Sequence, residues 1–88
     1  HPTEGNAFDI EQWMRLGDNL ASWLDANPAT PCWTEYHATM RGSLDRIHIA
    51  FALARDARAA GRMVPGDVAE AVVTESQAAF DLAEPAGC

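Results

Sequence analysis

Residues 30 to 61 read TPCWTEYHATMRGSLDRIHIAFALARDARAAG, and this stretch decides the fold. Trp33, His37, Met40, Leu44, Ile47, Phe51 and Ala54 recur at alternating spacings of four and three. That is a seam of about 3.5 residues per turn, the spacing with which one helix packs along another. Thr30-Pro31 offers an N-cap followed by proline at the first helical position, where the missing N–H is harmless. Gly61 suits a left-handed C-terminal cap. Ile49 and Leu53 lie on the face opposite the seam, so from Ile47 to Ala54 the helix is apolar nearly all round. A helix of that kind is expected to be covered on both sides. Arg41-Gly42-Ser43 is its weakest point.

Helical patterns flank this segment on both sides. From about Phe8 to Ala26, Ile10, Trp13, Leu16, Gly17, Leu20, Trp23 and Leu24 share one face at 100° per residue. Asp9 with Gln12 three residues later fits a capping box, and Asn27-Pro28 ends the helix, because proline pushes the residue before it out of the α region. On this reading Trp13 and Trp23 are core residues. The third pattern follows Val64-Pro65-Gly66-Asp67 and runs to about Ala83. Val68, Val72, Ala79, Phe80, Leu82 and Ala83 form its apolar side, and Glu75 intrudes at the edge. The expected fold is all-α, a small three-helix up-down-up bundle with a long central helix, residues 1–88 forming a single domain. A central helix of about 45 Å would outrun its neighbours, leaving apolar surface that a second copy could hide.

With 88 residues the chain suits one modest core. Its net charge of −7 repels phosphate backbones and anionic lipid surfaces, so direct nucleic-acid binding is not expected. No apolar run approaches the roughly eighteen residues that span a bilayer, so membrane insertion is not expected either. All six basic residues are arginines: Arg15, Arg41, Arg46, Arg55, Arg58 and Arg62. The last three sit where the long helix ends and complement its dipole. A strongly acidic domain can still bind basic proteins or imitate a nucleic acid.

Cys32 opens the long helix and Cys88 is the last residue. An antiparallel third helix followed by an extended tail can carry Cys88 back to Cys32. A bridge closing so long a loop contributes about 4 kcal/mol on the chain-entropy account. A bonded pair implies an exported protein, whereas two free thiols imply the cytoplasm.

The residues that could carry chemistry do not assemble into a site. His37 and His48 share a helix face but stand about 16 Å apart along the axis, too far for one metal ion. Asp45 and His48 have the i, i+3 spacing of carboxylate-bridged metal bundles, but no second such pair exists in the chain. The spacing is that of an Asp–His contact on a helix surface. Tyr36, His37 and Met40 could each ligate haem iron, but from one side only. No glycine-rich phosphate loop, nucleophile elbow or dinucleotide fingerprint is present. No catalytic residue, resident metal or cofactor is therefore assigned.

Two partial resemblances bear on function. Ser43-Leu44-Asp45-Arg46-Ile47-His48-Ile49, with Val64-Pro65 and Gln77-Ala78-Ala79-Phe80 later, resembles acyl and peptidyl carrier proteins over about half the chain. That resemblance implies a phosphopantetheine arm on Ser43 at the start of a helix that follows a long loop. Met40-Arg41-Gly42 stand where the family has glycine-x-aspartate before its serine. Trp23-Leu24-Asp25-Ala26-Asn27-Pro28 is similar in spacing to small secreted mycobacterial haemophores, with a tryptophan and an asparagine where ligands would be needed. The leading expectation is a non-catalytic module acting by protein–protein contact, either as a homodimer or with a protein partner, through Tyr36, Met40, Ile49 and Leu53. A carrier domain modified at Ser43, and a secreted haem or metal binder using His37 or His48, are the alternatives.

Overall fold

A glycine just past its last residue closes the central helix as the sequence anticipates, but its α-helical part starts at Thr34 rather than at Pro31, and the Thr30 side chain makes no cap hydrogen bond. In the computed structural model, which describes residues 2–86 and side chains from Ile10 onward, Pro31–Trp33 form a single 3-10 turn. The Thr30 carbonyl accepts hydrogen bonds from the Trp33 N–H (2.9 Å) and the Thr34 hydroxyl (3.3 Å). Helix α2 then runs Thr34–Ala59 without a break at Gly42. Gly61 takes φ of +70°, and two bonds close the end: Gly61 N–H to Arg58 O (3.0 Å) and Arg62 N–H to Ala57 O (2.8 Å). This is a Schellman cap, which needs a residue in the left-handed region. A Cβ at Gly61 would touch nothing within 4 Å, so Gly61→Ala isolates the backbone strain. It is expected to lower unfolding free energy by about 1 kcal/mol in urea titration.

Helix α1 spans Pro2–Ala26 and helix α3 spans Gly66–Phe80, giving a three-helix, up-down-up, all-α bundle about 48 × 23 × 20 Å in extent. Both differ from expectation at one end. Helix α1 begins at Pro2, six residues before Phe8, so Asp9 is interior rather than a cap. Proline at the first position again supplies the start. Helix α1 is therefore nearly as long as α2, and a short first helix is not what leaves apolar surface uncovered. Helix α3 stops at Phe80, three residues before Ala83. There the Asp81 N–H bonds Gln77 O (2.9 Å) and the Gln77 amide bonds the Asp81 carboxylate (3.0 and 3.1 Å). Helix α1 ends as expected, with the Asn27 amide donating to Trp23 O (2.8 Å).

Helix α2 packs against α1 on one side and α3 on the other. Arg46 reaches Glu75 of α3 (2.9 Å), and 100° stepping puts the small side chains Ala50, Ala54 and Ala57, 3–5% exposed, toward that side of α2. On the α1 side the core holds Met14, Leu24 and Leu44. Met14 was not on the expected apolar stripe, whereas Trp13 and Trp23, expected in the core, are 54% and 59% exposed. The expected covering of both sides of α2 is likewise incomplete, since Ile49 and Leu53 are more than half exposed.

Polar contacts explain the rotation of α1. The His48 ring bonds the Asp18 carboxylate (2.9 Å), and Arg41 Nε donates to Asp25 (3.0 Å). The pairs Asp18–Asp25 and Arg41–His48 are each seven residues apart, so in an antiparallel pair both meet in one register. His37 Nε2 lies 2.7 Å from Leu24 O, a third link between the helices. Turning Asp18 and Asp25 toward α2 turns Trp13, Leu16 and Leu20 away from it.

Candidate functional site

Two depressions flank Leu44. The smaller, about 280 Å³, is a polar cleft between α1 and α2, lined by Asp18, Ser22, Asp25, Arg41, Asp45 and His48 among others. Arg41 holds both Asp25 and Asp45. The guanidinium hydrogen bond keeps the Asp25 carboxyl below its ordinary value of 3.8, and the two carboxylates together raise Arg41. Asp45 and His48, which the sequence suggested as a mutual contact, pair elsewhere, with Arg41 and Asp18. The cleft's polar groups thus tie the helices together. Among the described residues no group of three or more His, Cys, Asp or Glu side chains is placed to hold a metal ion.

The Asp25 shift has a direction that can be checked. A carboxyl depressed in the folded state adds stability above its unfolded pKa and loses it as pH falls through the folded value. Between about pH 4 and 2, stability should therefore fall more steeply in the native chain than in Arg41→Gln. Thermal unfolding across that range reads the difference, and parallel curves would show that Arg41 does not act on Asp25.

The larger depression is an apolar groove of about 580 Å³. Its walls are Trp13, Leu16 and Leu20 from α1 and Val72, Ser76, Ala79 and Phe80 from α3, and its floor is Met40, Leu44, Ile47 and Phe51 from α2. It exists because α1 and α3 both pack on α2 but not on each other, no Cα pair between them coming within 8 Å. Leu16 is 57% exposed and Phe80 83%, so the walls face water. Monomeric domains rarely leave so continuous an apolar surface without a use for it.

The expected interaction residues divide among three places. Met40 lies in the groove floor. Tyr36 is half-buried, edge-on to Trp33 with ring centroids 5.1 Å apart. Ile49 and Leu53 are exposed on the far side of α2 and do not line the groove. Trp13, Leu16, Leu20 and Phe80 were missed because helical periodicity assigns apolar residues to a core without showing which helix, if any, covers them. The signal that could have found them is the seven-residue match of Asp18 and Asp25 to His48 and Arg41, which fixes the side of α1 that meets α2.

The other candidates are also placed. Ser43 is 3% exposed in the middle of α2, its hydroxyl accepting from Arg46 (3.3 Å), with helix rather than loop before it. That is not the exposed loop–helix junction that the carrier resemblance implies. Cys32 is exposed and is not a free thiol, while Cys88 lies outside the described residues. No helix among the described residues is long and apolar enough to cross a membrane. Searches against protein-family models, curated proteins and solved structures find no match to this chain.

Proposed function

We propose that this protein is a non-catalytic, acidic helical module that works by protein–protein contact through the groove between α1 and α3. The observation that carries the reading is the three-sided apolar groove, with two walls exposed and a floor already built. Its size and lining suit a helix laid along it by an apolar face, the helix-in-groove mode of recognition. The carrier alternative gains no support from Ser43, whose side chain is buried, nor the haem or metal alternative from His37 and His48, each of which turns one ring nitrogen to α1 and neither of which belongs to a cluster of three candidate ligands among the described residues.

The test uses the isotope-labelled chain and an idealised amphipathic helix of about 18 residues, leucine and alanine on one face and glutamine on the other. Amide shifts are expected at Trp13, Leu20, Met40, Phe51, Val72 and Phe80. Shifts centred on Ile49 and Leu53, or none, would overturn the reading. A Cys32–Cys88 bridge is part of the same proposal for an exported module. Intact mass without reductant should be lower by the two thiol hydrogens; an unchanged mass returns the module to a reducing compartment.

A further inference from the structure

We infer that the groove's occupant is a basic amphipathic helix of another protein, lying antiparallel to α1 and α3 as the fourth helix of the bundle. This rests on the groove being a docking surface and adds the chemistry and direction of what docks. Trp13 and Leu20 stand seven residues apart on one wall, about 10.5 Å, which is the reach of i, i+3, i+4 and i+7 anchors on an incoming helix. A fourth helix in an up-down-up-down bundle lies antiparallel to both neighbours.

Charge selects the same direction independently. Helices α1 and α3 end at the same end of the bundle, and neither has a basic residue in its last turn. Two negative dipole ends therefore stand together against one positive end, that of α2, with Asp81 and Glu84 following α3. The positive N-terminus of an antiparallel occupant belongs there. Helix α3 carries three acids, Asp67, Glu70 and Glu75, and no cation, and only Glu75 is drawn off, by Arg46 at 2.9 Å. On the solvent side of Val73 and Phe80, 100° stepping places Glu70, the neutral Gln77 and Asp81, so the occupant's exposed flank meets two carboxylates. A second copy fits worse. It brings another −7, and three of its six arginines, Arg41, Arg46 and Arg55, are already held by carboxylates of their own chain.

Three versions of the amphipathic peptide, with one apolar face and a lysine, glutamine or glutamate polar face, are titrated into the labelled full chain. The lysine version should bind at least about 10-fold tighter than the glutamate version in 50 mM salt, and the advantage should shrink to a few-fold at 0.5 M. The E70Q/D81N double variant should reduce it as well. Equal affinity of all three at the groove overturns the charge assignment and leaves the docking reading standing; no groove shifts with any of them sinks both. A dimer by sedimentation of the chain alone, with concentration-dependent shifts at Leu20 and Phe80, overturns the inference in favour of a second copy. A spin label on the peptide N-terminus should broaden Phe80 before Trp13, and the reverse order refutes the antiparallel direction.

Discussion

Replacing Leu44 by alanine should lower the melting temperature by about 10–20 °C, one of the two largest effects expected of any single change. Leu44 is the side chain at which the two halves of the molecule meet. It is 8% exposed and lines both the polar cleft and the floor of the apolar groove. The buried apolar set around it is small: Met14, Leu24 and three alanines. Leucine-to-alanine changes in cores cost about 2–5 kcal/mol, and the open cleft and groove on either side allow some relaxation, which favours about 2–3. Domains of this size are stable by roughly 5–10 kcal/mol, so the loss is a large fraction of the whole. Leu44→Met keeps the volume and should cost less than about 1.5 kcal/mol. Calorimetry of the two variants separates lost packing from a general intolerance at the position. A drop of under about 3 °C for the alanine variant would mean that the α1–α2 contact is not centred on this residue.

The contrast between Leu44 and Trp13 shows what could be read in the sequence. Leu44 sits on a seam whose spacing identifies it as a helix-packing position whatever it packs against, and it is buried. The C-terminal end of α2 was equally legible, because Gly61 acts through its own backbone and needs no partner, whereas Pro31 opens a 3-10 turn and α2 follows three residues later. Trp13 has as strong a periodic signal on α1 and is more than half exposed. Periodicity finds an apolar face but not the rotation of the helix that bears it. That rotation is fixed here by Asp18, Asp25 and the carbonyl of Leu24 reaching His48, Arg41 and His37, pairings between helices that no local pattern contains. The groove follows from the same cause, since it consists of the apolar side of α1 turned away from α2 and facing an α3 that does not close over it. Glu75, which looked out of place beside the apolar stripe of α3, becomes intelligible once Arg46 stands 2.9 Å away on α2. Ile49 and Leu53 read as interaction residues because they are surplus to one helix–helix seam. Their exposure agrees with that, but so does the exposure of the groove walls, and the two surfaces face opposite ways.

Those two surfaces can be separated by paired substitutions, and the expected difference in binding is about 100-fold. Leu20 is 42% exposed on the wall of the groove, and Ile49 is 59% exposed on the far side of α2. Each can become glutamine without adding charge, so the acidic field that steers a basic helix is unchanged. Leu20→Gln should leave the melting temperature within a few degrees, because much of the side chain is already in water. On binding, the same position would lose the transfer energy of the leucine surface still exposed, about 0.6–1.3 kcal/mol, and desolvate an unpaired amide, about 1–3 more. At 1.4 kcal/mol per decade the middle of the summed range is about two decades in affinity for the lysine-faced peptide. Ile49→Gln should change that affinity by less than 2-fold, because nothing docked in the groove reaches the far side of α2. Isothermal titration with the two variants and the native chain measures both numbers. Equal losses would mean that the peptide wraps the domain rather than seating in the groove. If only Ile49→Gln loses binding, the far side of α2 is the interaction face and the groove is closed by something else.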